Sequence, residues 1–116
     1  MSEDGSGADP LTTARGLHER LSDVQVLDVR EPYEWVAGHI EGSAHLPLAQ
    51  VMSSPVELDP ELPVVAVCTM GSRSEVAMLM LRARGFEAYN LERGLEEWAA
   101  EGLPLVRDDG GPARVA

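Results

Sequence analysis

A short apolar run, Val64-Val65-Ala66-Val67, follows Pro63 and passes directly into Cys68-Thr69-Met70-Gly71-Ser72-Arg73-Ser74; a stretch rich in helix formers then extends from Glu75 to Arg84. The run is short, β-branched and uninterrupted, which predicts a strand buried on both faces. The helix formers predict a helix that stops at Gly85, a residue suited to the position just past a helix end. Other strand candidates, at 24–29, 44–48 and 86–90, alternate with helical segments. That order implies βαβ units and a mainly parallel central sheet with helices on both faces, an α/β fold.

The only cysteine, Cys68, stands where that strand becomes loop. The carboxyl end of a parallel strand, opening into a helix, is where α/β folds bind ligands. Unpaired N–H groups, the positive end of the helix dipole and the guanidinium of Arg73 favour an anion there, and favour thiolate over thiol at Cys68. Taken alone, a single cysteine reads as a small buried hydrophobe closing a strand. A core cysteine, however, has no need of a basic, glycine-containing loop with two serines. Arg73 at a helix start opposes the dipole, so it asks for an anionic partner.

With 116 residues the chain is expected to form one domain. Its 44% hydrophobic and 25% charged residues are those of an ordinary soluble globular protein, and no apolar run is long enough to span a bilayer. The acidic, polar start is the opposite of a signal or transit peptide, so a cytoplasmic location is expected. A net charge of −11 argues against nucleic acid and anionic membranes as partners. An anionic substrate must therefore rely on the local field of Arg73 and the helix end. One cysteine excludes an internal disulfide, no Cys/His spacing suggests a metal site, and no cofactor is expected.

Residues 1–9 read as a disordered lead-in, 10–106 as the domain and 107–116, rich in Gly, Asp and Pro, as a disordered tail. Thr12 or Thr13 is placed to cap a helix carrying Leu17 and Leu21 on one face and ending at Ser22-Asp23. Asp28 and Arg30 leave the end of the first strand; by themselves they read as a structural ion pair or as solvated loop residues. Residues 31–36 form a predicted helical turn with Pro32 in its first turn and Trp35 facing inward. His39 and His45 suggest a Cys–His pair, but for both the structural reading is the stronger one. After the strand at 44–48 come a weak helical turn at 48–52 and a Ser/Pro-rich loop to Pro60. A last helix at 94–101 is stopped by Gly102 and Pro104.

The loop from Cys68 to Ser74 resembles the active-site loop of rhodanese domains, Cys-x-x-Gly-x-Arg-Ser, the sulfurtransferases that hold a persulfide on cysteine. The stretch from Asp28 to Ala44 is similar to the first signature of that family, and Gly85 to Leu91, with Gly94 and Trp98, to its last. The resemblance covers residues 11 to 105 or so. It implies a rhodanese-like α/β fold, Cys68 as nucleophile, and Thr69, Met70, Gly71, Ser72, Arg73 and Ser74 as the substrate-binding loop. It further implies that Asp28 braces the loop arginine or the loop backbone, that Arg30 helps to shape the site, and that His39 bridges backbone groups. Ser43 and His45 depart from the usual family pattern. Arg93 stands where a second glycine is common, a departure expected to stiffen the neighbouring turn or make it more basic.

Loop length selects the chemistry. Cysteine phosphatases use Cys-x5-Arg, a spacing that lands here on Ser74, whereas Arg73 fits the shorter Cys-x4-Arg of the sulfurtransferases. The narrower cradle suits a terminal sulfane sulfur and not a tetrahedral phosphate ester. The resemblance implies transfer from a small anionic sulfur donor such as thiosulfate to a thiol or cyanide acceptor through a Cys68 persulfide, with a sulfur-relay protein as a further candidate partner. The alternative is a persulfide carrier or regulatory binding module with little turnover of its own.

Overall fold

The computed structural model describes residues 9–116, so the predicted disorder of residues 1–8 lies outside the described residues. Thr13 starts α1 (Ala14–Glu19), its hydroxyl accepting from Gly16 N. A 3-10 turn at Leu21–Asp23, where the sequence predicts the same helix continuing, leads into β1 (Gln25–Asp28). Next come α2 (Pro32–Ala37), β2 (Ala44–His45), α3 (Leu48–Ser53), β3 (Val64–Val67), α4 (Ser72–Ala83), β4 (Ala88–Asn90) and α5 (Gly94–Ala100).

The strands form one sheet in the order β2-β1-β3-β4, and every pairing is parallel. Because successive residues of a strand point to opposite faces, the central strands feed two cores. On one face Val26, Val65 and Val67 pack with Leu17 of α1 and with Leu95 and Trp98 of α5. On the other, Leu27, Val64, Ala66 and Cys68 pack with Val51 of α3 and with Ala77 and Leu81 of α4. This two-sided cover is why Val64 to Val67 carry no polar residue. Among the described residues no helix is long and apolar enough to cross a membrane.

Residues 107–116, expected to be a disordered tail, run back over the domain. Val106 pairs with His39 in an isolated antiparallel bridge, Arg114 N donates to Ala37 O at 2.9 Å, and Val115 packs on the first core. Gly38 makes room for this return: a Cβ there would lie 2.5 Å from Arg114 O.

Candidate active site

The buried run of β3 delivers Cys68 to the carboxyl edge of the sheet, and α5 ties the loop down. Leu95 N donates to Cys68 O at 2.9 Å and Glu96 N to Thr69 O at 3.0 Å, so two free N–H groups of the first turn of α5 are satisfied by loop carbonyls. Gly94, at φ +68°, permits that approach, since a Cβ on it would lie 2.2 Å from Thr69 O. Gly71 is constrained twice: its φ is +101° and a Cβ would meet Glu92 O at 2.0 Å.

Folded in this way, the loop turns donors onto the sulfur. Gly71 N lies 3.1 Å from Cys68 Sγ, Ser74 N 3.4 Å and Ser74 Oγ 3.3 Å. Burial pushes the Cys68 thiol up. The Ser74 hydroxyl, and then the N–H groups of Ser74, Gly71 and Met70, more than offset this and hold it below its ordinary value. Cys68 itself is 1% exposed. The side chain of Met70 is 65% exposed, and Ser72 stands exposed in the first turn of α4.

Arg73 does seek an anion, and finds it within the chain. Its Nη1 and Nη2 donate to Glu34 Oε1 and Oε2 at 2.8 and 2.9 Å, a two-point pair. Thr69 Oγ1 also donates to Glu34 Oε2, at 3.1 Å, and Glu31 N to Oε1, at 2.9 Å. The Arg73 hydrogen bond, first among these, holds the Glu34 carboxyl down at about 2 against burial, and the arginine in turn is raised. Glu34 therefore fastens α2 to the loop.

That arrangement corrects the expectation for Asp28, whose carboxylate braces neither Arg73 nor the loop backbone. Its carboxylate accepts from Arg30 N at 3.0 Å, from Nε at 2.9 and 3.1 Å and from Nη2 at 2.7 Å, and Arg30 Nη2 also donates to Gly38 O at 2.7 Å. The pair is fully buried and joins the end of β1 to the turn after α2. It is the structural ion pair that the two residues suggest by themselves.

The histidines are structural. His39 Nδ1 donates to Trp35 O at 2.9 Å and His45 Nε2 to Arg30 O at 2.8 Å. Both rings stack on the indole of Trp35, with centroids 3.6 and 4.8 Å from it. Ser43 Oγ donates to Ile40 O at 2.6 Å, within its own turn. Arg93 turns outward to Glu97, 3.5 Å away, so its charge is engaged there.

Sequence reasoning missed Glu34 and Asn90. Glu34 stands three residues after Glu31 at a helix start, the spacing of a capping pair, which was its only signal. Asn90 is a polar residue ending an apolar strand at the functional edge of a parallel sheet, a signal of the same kind as Asp28.

A cysteine ringed by amides at the carboxyl edge of a parallel sheet defines a class of α/β proteins built around a thiolate-bearing loop. The model of the rhodanese-like domain matches residues 13–101. The chain belongs to the rhodanese-like domain family. A thiosulfate sulfurtransferase GlpE of Pseudomonas paraeruginosa is 36% identical over 86 residues, covering 73% of this chain and 76% of that protein. An HTH-type transcriptional regulator of Mycobacterium tuberculosis is 34% identical over 111 residues, 93% of this chain. The chain spans 48% of the regulator and 62% of the Bacillus subtilis protein YqhL. Among solved structures, a rhodanese-related protein of Thermoplasma volcanium superposes with a TM-score of 0.77 at 32% identity, covering 81% of this chain and 94% of that one.

Proposed function

We propose that the protein is a sulfurtransferase that carries sulfane sulfur as a persulfide on Cys68. The Cys68 thiolate attacks the outer sulfur of a donor such as thiosulfate; a new S–S bond forms, the donor's S–S bond breaks, and sulfite leaves with its electron pair. Cyanide or a thiolate then attacks the terminal sulfur, and the pair of the Cys68 S–S bond returns to the cysteine. The observation that carries this reading is the set of donors on Sγ from Gly71 and Ser74, in a loop of Cys-x4-Arg length. Such donors stabilise a sulfur anion as an oxyanion hole stabilises oxygen. The thiosulfate sulfurtransferase relative supports the same donor. Glu34 holds the Arg73 guanidinium in place against the loop.

One observation favours the carrier reading. The loop guanidinium is already paired with Glu34, so much of its attraction for an anionic donor is offset. Steady-state thiosulfate:cyanide transfer distinguishes the two. Repeated turnover in the wild type, abolished by Cys68→Ser, supports the enzyme. Uptake of one sulfur per chain without further turnover supports the carrier, and activity that survives Cys68→Ser contradicts both.

A further inference from the structure

Asn90 ends β4 with its side chain buried behind the loop. Its Nδ2 donates to Gly71 O at 3.0 Å, and since a carbonyl only accepts, that contact fixes which way the carboxamide faces. Oδ1 thus faces Ser74 Oγ, 2.5 Å away, and as a pure acceptor it competes for the Ser74 hydroxyl proton. The same Ser74 oxygen lies 3.3 Å from Cys68 Sγ. Ser74 has one proton and two claimants. Turned to Asn90, it leaves a lone pair facing the sulfur, which suits S–H and opposes a thiolate. Turned to the sulfur, it suits the thiolate and leaves the buried Oδ1 without that donor, at a cost.

We propose that Asn90 is a positioning residue for Cys68 acting through Ser74: it competes with the sulfur for the Ser74 proton and so sets how readily Cys68 gives up its own. On ionisation the thiol proton leaves to solvent, the Ser74 hydroxyl rotates, its bond to Asn90 Oδ1 breaks, and one to Sγ forms. Charged groups from several elements surround this switch. Arg73 on α4 and Glu34 on α2 form an ion pair, the first raised and the second held at about 2. Asp28 and Arg30 at the end of β1 bind each other, and Glu75, Glu92 and Glu96 are exposed.

The proposal concerns the thiolate and holds whether or not the chain turns over sulfur, so its test uses neither donor nor acceptor. With a single cysteine, iodoacetamide uptake reads Cys68 alone. Alkylation rates are followed against pH for the wild type, Asn90→Leu, Ser74→Ala and the double variant. Loss of the Gly71 O anchor contributes equally in both Ser74 backgrounds and cancels. With Ser74 present, Asn90→Leu should displace the midpoint downward relative to its effect in Ser74→Ala, raising the thiolate fraction on the rising limb by about threefold or more, the size of one net hydrogen bond. Equal displacements in the two backgrounds, or a difference of opposite sign, overturn the proposal. If circular dichroism shows Asn90→Leu unfolded, Asn90→Val, which suits a strand, replaces it in the same four-way comparison, and the same two results overturn the proposal.

Discussion

At Glu34 a carboxylate accepts from a backbone N–H, a hydroxyl and both terminal nitrogens of Arg73, and this converts a surface-facing arginine into part of the loop's frame. Its carboxyl is held at about 2 when folded against an ordinary 4.5, so the stability it contributes is present above 4.5 and lost as pH falls through about 2. Glu34→Gln should therefore lower the melting temperature at pH 7 and flatten its fall across the acid range. A loss of about 1–2 kcal/mol is expected, modest because Arg73 is part-exposed and can turn to water; equal acid sensitivity in variant and wild type would contradict the pairing. Arg73→Lys should loosen the loop from α2 and lower the melting temperature at pH 7, because a point charge cannot reproduce the two-point fork on Glu34; an unchanged melting temperature would contradict that role. Gly71→Ala places a Cβ 2.0 Å from Glu92 O at a positive φ. It should cost more than about 2 kcal/mol in urea unfolding and slow Cys68 alkylation near neutral pH, since the Gly71 N–H is one of the donors on sulfur.

Among the elements, the central ones were legible because a buried parallel strand needs a mostly apolar run: 64–67 is unbroken, and in 24–29 only Gln25 and Asp28 interrupt Val24, Val26, Leu27 and Val29. The edges were less so. The strand expected at 44–48 pairs in register only at Ala44–His45, although Leu46 N and Leu48 N still reach Asp28 O and Val29 O; Pro47 between them has no N–H to give. The strand expected from Phe86 begins at Ala88, because Phe86 N is taken by Leu81 O in the turn that Gly85 makes at φ +96° after α4. The tail misled most. Its Gly, Asp and Pro content resembles disorder, but Val115 packs on a core built from residues between Leu11 and Trp98, and no local pattern announces such a contact. A chain ending at Arg107 should lose about 1–3 kcal/mol, seen as a lower urea midpoint. An unchanged midpoint would mean that residues 108–116 add nothing to the fold.

For the molecule as a whole, a net charge of −11 surrounds a sulfur that only a few donors make hospitable to anions. The loop could be read from the sequence because cysteine, glycine, arginine and serine follow one another within a few residues. The braces could not, since Glu34 and Asn90 reach the loop from other elements and only folding brings them there. Loop length is the feature that separates sulfur from phosphorus chemistry. A glycine inserted between Gly71 and Ser72, giving Cys-x5-Arg, should reduce sulfur uptake and raise affinity for phosphate; tighter phosphate binding by the wild type would reverse that expectation. The most direct measurement is an intact-protein mass spectrum after exposure to thiosulfate. The expected spectrum shows one added sulfur on Cys68, removed by cyanide and never formed in Cys68→Ser, with no hydrolysis of aryl phosphates. A protein that hydrolyses aryl phosphates and takes up no sulfur would contradict the sulfurtransferase assignment.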